Sequence, residues 1–170
     1  MKIIPSEFTK LAWNCFLDAK KIAYLSKHQN IESEHLFFSI LEKVSWVNIL
    51  LKKNSLQPEK IRAQLKNSIN NKGTMSSKQE KLFISSCLEN TLLKALQIKN
   101  ELSEVVISTD HIIYGLTYDK NCGSLILGKK SIPEFLEFIK KMRSENTINR
   151  DLEEEENNAL EKFGIDLTKL

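Results

Sequence analysis

Histidine, cysteine and one glycine-flanked lysine pair are the side chains of this chain with chemistry to offer. His35 and His111 each follow an acid, Glu34 and Asp110. A histidine beside a carboxylate could ligate a metal or work in acid–base pairs. A metal reading needs HExxH or ligands clustered in the sequence, and neither pattern occurs. Each of these histidines stands near the start of an expected helix. There its ring can bond a neighbouring group while it packs. His28 reads as a loop or helix-end residue. No Ser/His/Asp or Cys/His set follows from spacing, so catalysis is not expected. Gly123-Ser124-Leu125-Ile126-Leu127-Gly128-Lys129-Lys130 nearly matches the phosphate loop GxxxxGK[ST]. Lys130 stands where the magnesium-binding hydroxyl belongs, and no strand is expected before the glycine. Leu125-Ile126-Leu127 reads as packed, so nucleotide binding is not expected here.

Cys15, Cys87 and Cys122 are odd in number and widely spaced, without a CxxC pair. Small thiols in a reducing compartment fit better than a disulfide framework or a zinc site. The net charge of +3 hides an asymmetry. Residues 1–143 hold 22 basic and 14 acidic residues, whereas 144–170 hold 3 and 8. Yet nearly all the bases are dispersed lysines, and arginine occurs only at Arg62, Arg143 and Arg150. Solvated helix faces explain this better than a nucleic-acid surface. No stretch approaches the apolar length of a membrane span, and the first residues lack the apolar core of a secretion signal.

The elements that must carry these side chains are helices. Phe8, Leu11, Ala12, Cys15, Phe16, Ala19, Ile22 and Ala23 form one stripe at helical spacing, on a helix over about 8–27. Further helices are predicted over 33–43, 45–53 and from Pro58 to about Ile69. Ser33 is the expected cap of the second. Residues 70–76 read as a linker. Ser77-Lys78-Gln79-Glu80 has the capping-box pattern and predicts a new long helix over 77–102. Helices over 109–118, 121–128 and 132–143 follow, with Thr109 as a cap.

The second half repeats the first. Residues 31–40 and 107–116 correspond at an offset of 76, and the same offset pairs Ala19 with Ala95 and Leu51 with Leu127. The fold expected is all-α, without a β-sheet: two four-helix repeats, about 6–69 and 77–143, related by a pseudo-twofold axis. Two such units share a core and leave a groove between them. Trp13, Leu17 and Tyr24 lie off the main stripe, and their partners are Glu89, Leu93 and Asn100. They pack against the other repeat or form an exposed patch for a partner. Residues 144–158 read as an acidic, solvated linker that is too polar to order by burial. Residues 159–170 read as a short amphipathic helical tail.

Phe8-Thr9, the alanine-spaced helix and His28-Gln29-Asn30-Ile31-Glu32-Ser33-Glu34-His35-Leu36 resemble the first half of a Clp N-terminal domain. Ile107-Ser108-Thr109-Asp110-His111 resembles the corresponding part of its second half. Residues 159–168 are similar to the segment leading into the first ATPase module of ClpB-type disaggregases. Lys99, where the first copy has Ala23, and a fourth helix that looks one residue shorter depart from the usual pattern. The resemblance implies the N-terminal portion of a ClpB-like AAA+ chaperone, ending before its first nucleotide-binding domain. It implies a non-enzymatic, monomeric module that captures unfolded or aggregated polypeptide in an apolar groove and passes it to the ATPase ring of a hexamer. Thr9, Glu104 and Asp110 match family positions that bear on substrate handling. Ile98 and His111 match groove positions, with His111 replacing a family leucine.

No cofactor is implied for residues 1–170. ATP and magnesium are expected of the full-length protein, as is cooperation with a DnaK-type chaperone. No nucleic acid and no membrane are expected as partners. The compartment implied is the cytoplasm, or the stroma or another organelle of bacterial origin. Two alternatives remain: the adaptor-docking domain of a ClpC-type unfoldase that feeds a protease, and a free-standing Clp adaptor.

Overall fold

A computed structural model of the chain describes residues 3–76 and 81–145. After a 3-10 turn, Pro5–Glu7, the first repeat runs α1 Lys10–Leu25, β1 Asn30–Ile31, α2 Ser33–Lys43, α3 Ser45–Lys53 and α4 Pro58–Asn70. The second runs β2 Phe83–Ile84, α5 Ser86–Glu101, α6 Thr109–Leu116, α7 Gly123–Leu127 and α8 Ile132–Ser144. No helix among the described residues is long and apolar enough to cross a membrane.

The fold is helical, as the periodicity predicts. The expected absence of a sheet is corrected by one short ladder: β1 pairs β2 in parallel, Asn30 with Phe83 and Ile31 with Ile84. A parallel bridge joins Phe8 to Ile107. The offset of 76 turns Phe8 into Ile84 and Ile31 into Ile107, so the bridge and the ladder are images of each other. Their hydrogen bonds agree, with Thr9 N–H donating to Ile107 O (2.9 Å) and Ser85 N–H to Ile31 O (3.0 Å). Each repeat thus lends its loop to the other's entry segment, the reciprocity that a twofold relation demands.

The same correspondence corrects the start of the second long helix. α5 begins at Ser86, because Ser85 Oγ accepts the Leu88 N–H (3.1 Å), as Thr9 Oγ1 accepts that of Ala12 (3.3 Å) at α1. Phe83 and Ile84 are engaged in the ladder and do not extend the helix. The proposed box at 77–80 lies outside the described residues. So do the linker and tail from residue 146 onward. The fourth helices are of equal length, 13 residues each, which corrects the expected shortening. The missing residues come out of α7, which has 5 residues against the 9 of α3.

Both long helices end alike. Lys27 and Ser103 take a left-handed φ of 57°, and the next N–H reaches back, from His28 to Ala23 O and from Glu104 to Lys99 O. This is the Schellman closure, held here without glycine. It fixes His28 and Glu104 at equivalent points.

α2 and α6 meet at the centre of the molecule, α1 also touches α6, and α5 touches α2. Phe37, Leu36, Ile40, Leu50, Leu88, Leu92, Ile112, Ile113 and Phe135 are fully buried there. A Cβ on Gly115 of α6 would stand 2.3 Å from Thr91 O of α5. The equivalent pair in repeat one is Ser39 and Cys15, and there Ser39 Oγ donates to Cys15 O at 2.7 Å. The Gly115 helices therefore approach more closely than the Ser39 helices.

Candidate functional site

Two features of the surface and its margins could carry function. The first is an open groove of about 550 Å³ lined by Leu17, Lys20, Lys21, Tyr24 and Leu82. α1 supplies four of these residues, and Leu82 comes from the segment entering β2, so the groove lies where the repeats meet. Leu17 is 43% exposed and Tyr24 40%. Phe83, next to Leu82, is 59% exposed. Apolar side chains left this open are not explained by the core, and the two lysines give the rim a positive charge. Trp13 does not join them. It lies against Phe8 and Phe16, with ring centroids 5.7 and 5.3 Å away, and is partly buried on the core. In repeat two the same helix face carries Leu93, also 40% exposed, but Asn100 in place of Tyr24.

The second feature gathers Glu104, Asp110, His111 and Arg143. Ser108 N–H donates to His111 Nδ1 (2.9 Å), so the ring's proton lies on Nε2 and is given to Glu104 Oε1 (2.9 Å). Arg143 Nη2 donates to the same oxygen at 2.8 Å, and Arg143 Nε stands 3.4 Å from Asp110 Oδ2. Asp110 Oδ1 also accepts the Ser108 hydroxyl and the His111 N–H. One arginine on α8 thereby ties together the end of α5 and the start of α6. Of the residues singled out by resemblance, Glu104, Asp110 and His111 come together. Ile98 is buried on α5, and Thr9 is the buried cap of α1. Arg143 escaped the sequence reading. Its only signal was being an arginine in a lysine-rich chain.

Repeat one holds a different pair at the equivalent place. His28 stands just past the end of α1, as expected, but it is buried, and its Nδ1 lies 2.8 Å from His35 Nε2. Glu32 N–H donates to His35 Nδ1 at 2.8 Å. His35 and His111 each complete a capping box with Glu32 and Ser108, the true N-caps. Ser33 and Thr109 are the first helical residues instead, one position later than expected. The ring nitrogen serves the role that glutamate usually plays. Burial, then His28 and Lys72, hold His35 down to about 4 against the opposing pull of Glu34. Burial alone would raise Glu34, but Lys72, at 2.7 Å, and Ser68 outweigh it and hold the carboxyl low.

The glycine-flanked segment forms no phosphate cradle. Residues 123–127 are helical, Ile126 is buried, and Asn54 Nδ2 donates to Ile126 O at 2.8 Å. Leu125 and Leu127 are only partly buried.

Residues 7–129 match the family described as the Clp repeat (R) N-terminal domain. The chain is 29% identical over 170 residues to the chaperone protein ClpB of Prochlorococcus marinus, covering 99% of this chain and 20% of that protein. It thus spans about a fifth of the length of the curated relatives it matches. Its fold is similar to the Hsp104 N-terminal domain of Candida albicans, with a TM-score of 0.72 and 15% identity over 81% of this chain and 91% of that one. It is similar also to the N-terminal domain of the ClpD chaperone of Arabidopsis thaliana, with a TM-score of 0.60 and 14% identity, over 84% and 98%.

Proposed function

Because the chain belongs to the Clp repeat (R) N-terminal domain family, we propose that it is the polypeptide-capture module of a ClpB-type chaperone. The observation that carries this reading is the groove of Leu17, Tyr24 and Leu82 rimmed by Lys20 and Lys21. Unfolded chains expose apolar side chains that folded ones bury. A shallow apolar surface binds many such sequences weakly, because it asks for area and not for a particular hydrogen-bond pattern. The lysine rim adds a preference for segments that carry acidic side chains beside apolar ones.

Thr9, Glu104, Asp110, His111 and Ile98 act in this reading by position. The first four stand about the Phe8–Ile107 bridge and hold the start of α1, the end of α5 and the start of α6, whereas the groove lies beside the β1–β2 ladder that is the image of that bridge. Captured segments pass to the ATPase ring of the longer protein, which supplies ATP and magnesium chemistry and works with a DnaK-type chaperone in a cytoplasm or an organelle of bacterial origin. The test is binding of a permanently unfolded, fluorescently labelled polypeptide, followed by anisotropy. The double variant L17S/Y24S loses about tenfold in affinity while its helical circular dichroism stays unchanged. Unchanged binding by the folded double variant rejects the groove.

A further inference from the structure

Glu34, Asp119 and Cys122 lie apart from the groove, yet they meet at one point between the repeats. One ligand atom from each lies within 4.8 Å of the other two. All three residues are buried, at 2%, 8% and 0% exposure. Each carboxylate is anchored through one oxygen only. Glu34 Oε2 takes Lys72 Nζ (2.7 Å) and Ser68 Oγ (3.3 Å), and Asp119 Oδ2 takes the N–H groups of Asn121 and Cys122, both at 2.9 Å. The other two oxygens, Glu34 Oε1 and Asp119 Oδ1, are buried without a hydrogen-bond partner. A buried carboxylate oxygen without a donor is costly, and native folds rarely keep one unless an ion or water serves it.

We propose that Glu34, Asp119 and Cys122 form a transition-metal site of the zinc class that pins the first repeat to the second. The charges agree. Two carboxylates and a thiolate bring three negative charges and Lys72 one positive, so a divalent ion makes the site neutral. The donors agree as well. One sulfur with two oxygens suits zinc or cobalt and not magnesium or calcium, which take oxygen alone. A cavity of about 160 Å³ beside Cys87 and Thr91 is also lined by Asp119. Glu34 stands in the first turn of α2, and Asp119 and Cys122 in the α6–α7 connection. A bound ion therefore cross-links repeat one to repeat two. On binding, the Cys122 thiol proton leaves for solvent and the sulfur–metal bond forms.

The test is to strip the 170-residue chain with a chelator, titrate it with Co²⁺ and then add Zn²⁺. One equivalent of Co²⁺ gives a thiolate-to-cobalt charge-transfer band in the near ultraviolet, which Zn²⁺ abolishes. The band persists in C15S and C87S, which leaves Cys122 as the source even if a Cys122 variant fails to fold. C122S, if folded, lacks the band, and D119N binds about tenfold or more weakly. Three results overturn the proposal: no band in the folded wild type, a band lost in C87S, or a folded D119N with unchanged affinity. Internal water alone would then serve these oxygens.

Discussion

The two repeats place different groups at one position of the same frame. After the left-handed close of α1 comes His28, and after that of α5 comes Glu104. Each faces a capping-box histidine seven residues on, at 2.8 and 2.9 Å. His28 must accept from His35 Nε2, because His35 Nδ1 is already taken by Glu32 N–H. Both rings of repeat one are therefore bound to the neutral state. Glu104 accepts from His111 Nε2 as a carboxylate and accepts from Arg143 as well. The backbone geometry survives the exchange, while the charge of the group it holds does not. A repeat thus conserves its closures and is free to change what the closures hold.

The largest expected effect breaks the equivalence of the helix pairs. Gly115→Ser installs in repeat two the residue that repeat one uses at Ser39. Yet it should destabilise the chain by about 3 kcal/mol or more, at the upper end for overpacking, because the obstacle is the Thr91 backbone. Urea denaturation measures it. A loss under about 1 kcal/mol would mean that the two helix pairs are spaced alike.

Acid gives the next effect. His35 is held at about 4 when folded, against 6.5 when free. The unfolded chain therefore binds more protons between these values. The stabilisation is complete above about pH 6.5 and is lost as pH falls towards 4, amounting to about 3 kcal/mol at most. His28, also lowered by burial first, adds to the loss in the same direction. His28→Glu gives repeat one the partner that repeat two has, and should flatten the fall of stability between pH 6.5 and 4. Equal slopes for wild type and variant would remove the histidine pair as the cause.

The eight helices of the described residues, the repeat and most helix spans were legible in the sequence because apolar periodicity is local and was present twice. The start of α5 was missed because Ser77 and Glu80 satisfy a local pattern, whereas the true cap is fixed by pairing with a distant strand. The offset of 76 could have found it, since Thr9 then falls on Ser85. The groove was half legible. Leu17 and Tyr24 stood off the core stripe, but Leu82 gave no sign that it would join them. Arg143 with Glu104, and Glu34 with Asp119 and Cys122, are meetings made by tertiary structure across 39 residues and more. No window along the chain contains them.

The smallest effects sharpen the comparison at the helix starts. Thr9 and Ser85 are the working caps, each with a side-chain oxygen on an orphan N–H. Thr9→Ala and Ser85→Ala should each cost about 1 kcal/mol. Ser33 has the residue type of a cap but sits one position too late, as the first residue of α2. Its hydroxyl is buried without a hydrogen-bond partner. Alanine there removes an unserved polar group and raises helix propensity, so Ser33→Ala should leave stability within about 0.5 kcal/mol of wild type or raise it. Urea denaturation of the three single variants, fitted with a common slope, orders them. A cost at Ser33 equal to that at Thr9 would restore Ser33 as the cap and undo the assignment of that role to Glu32 and His35.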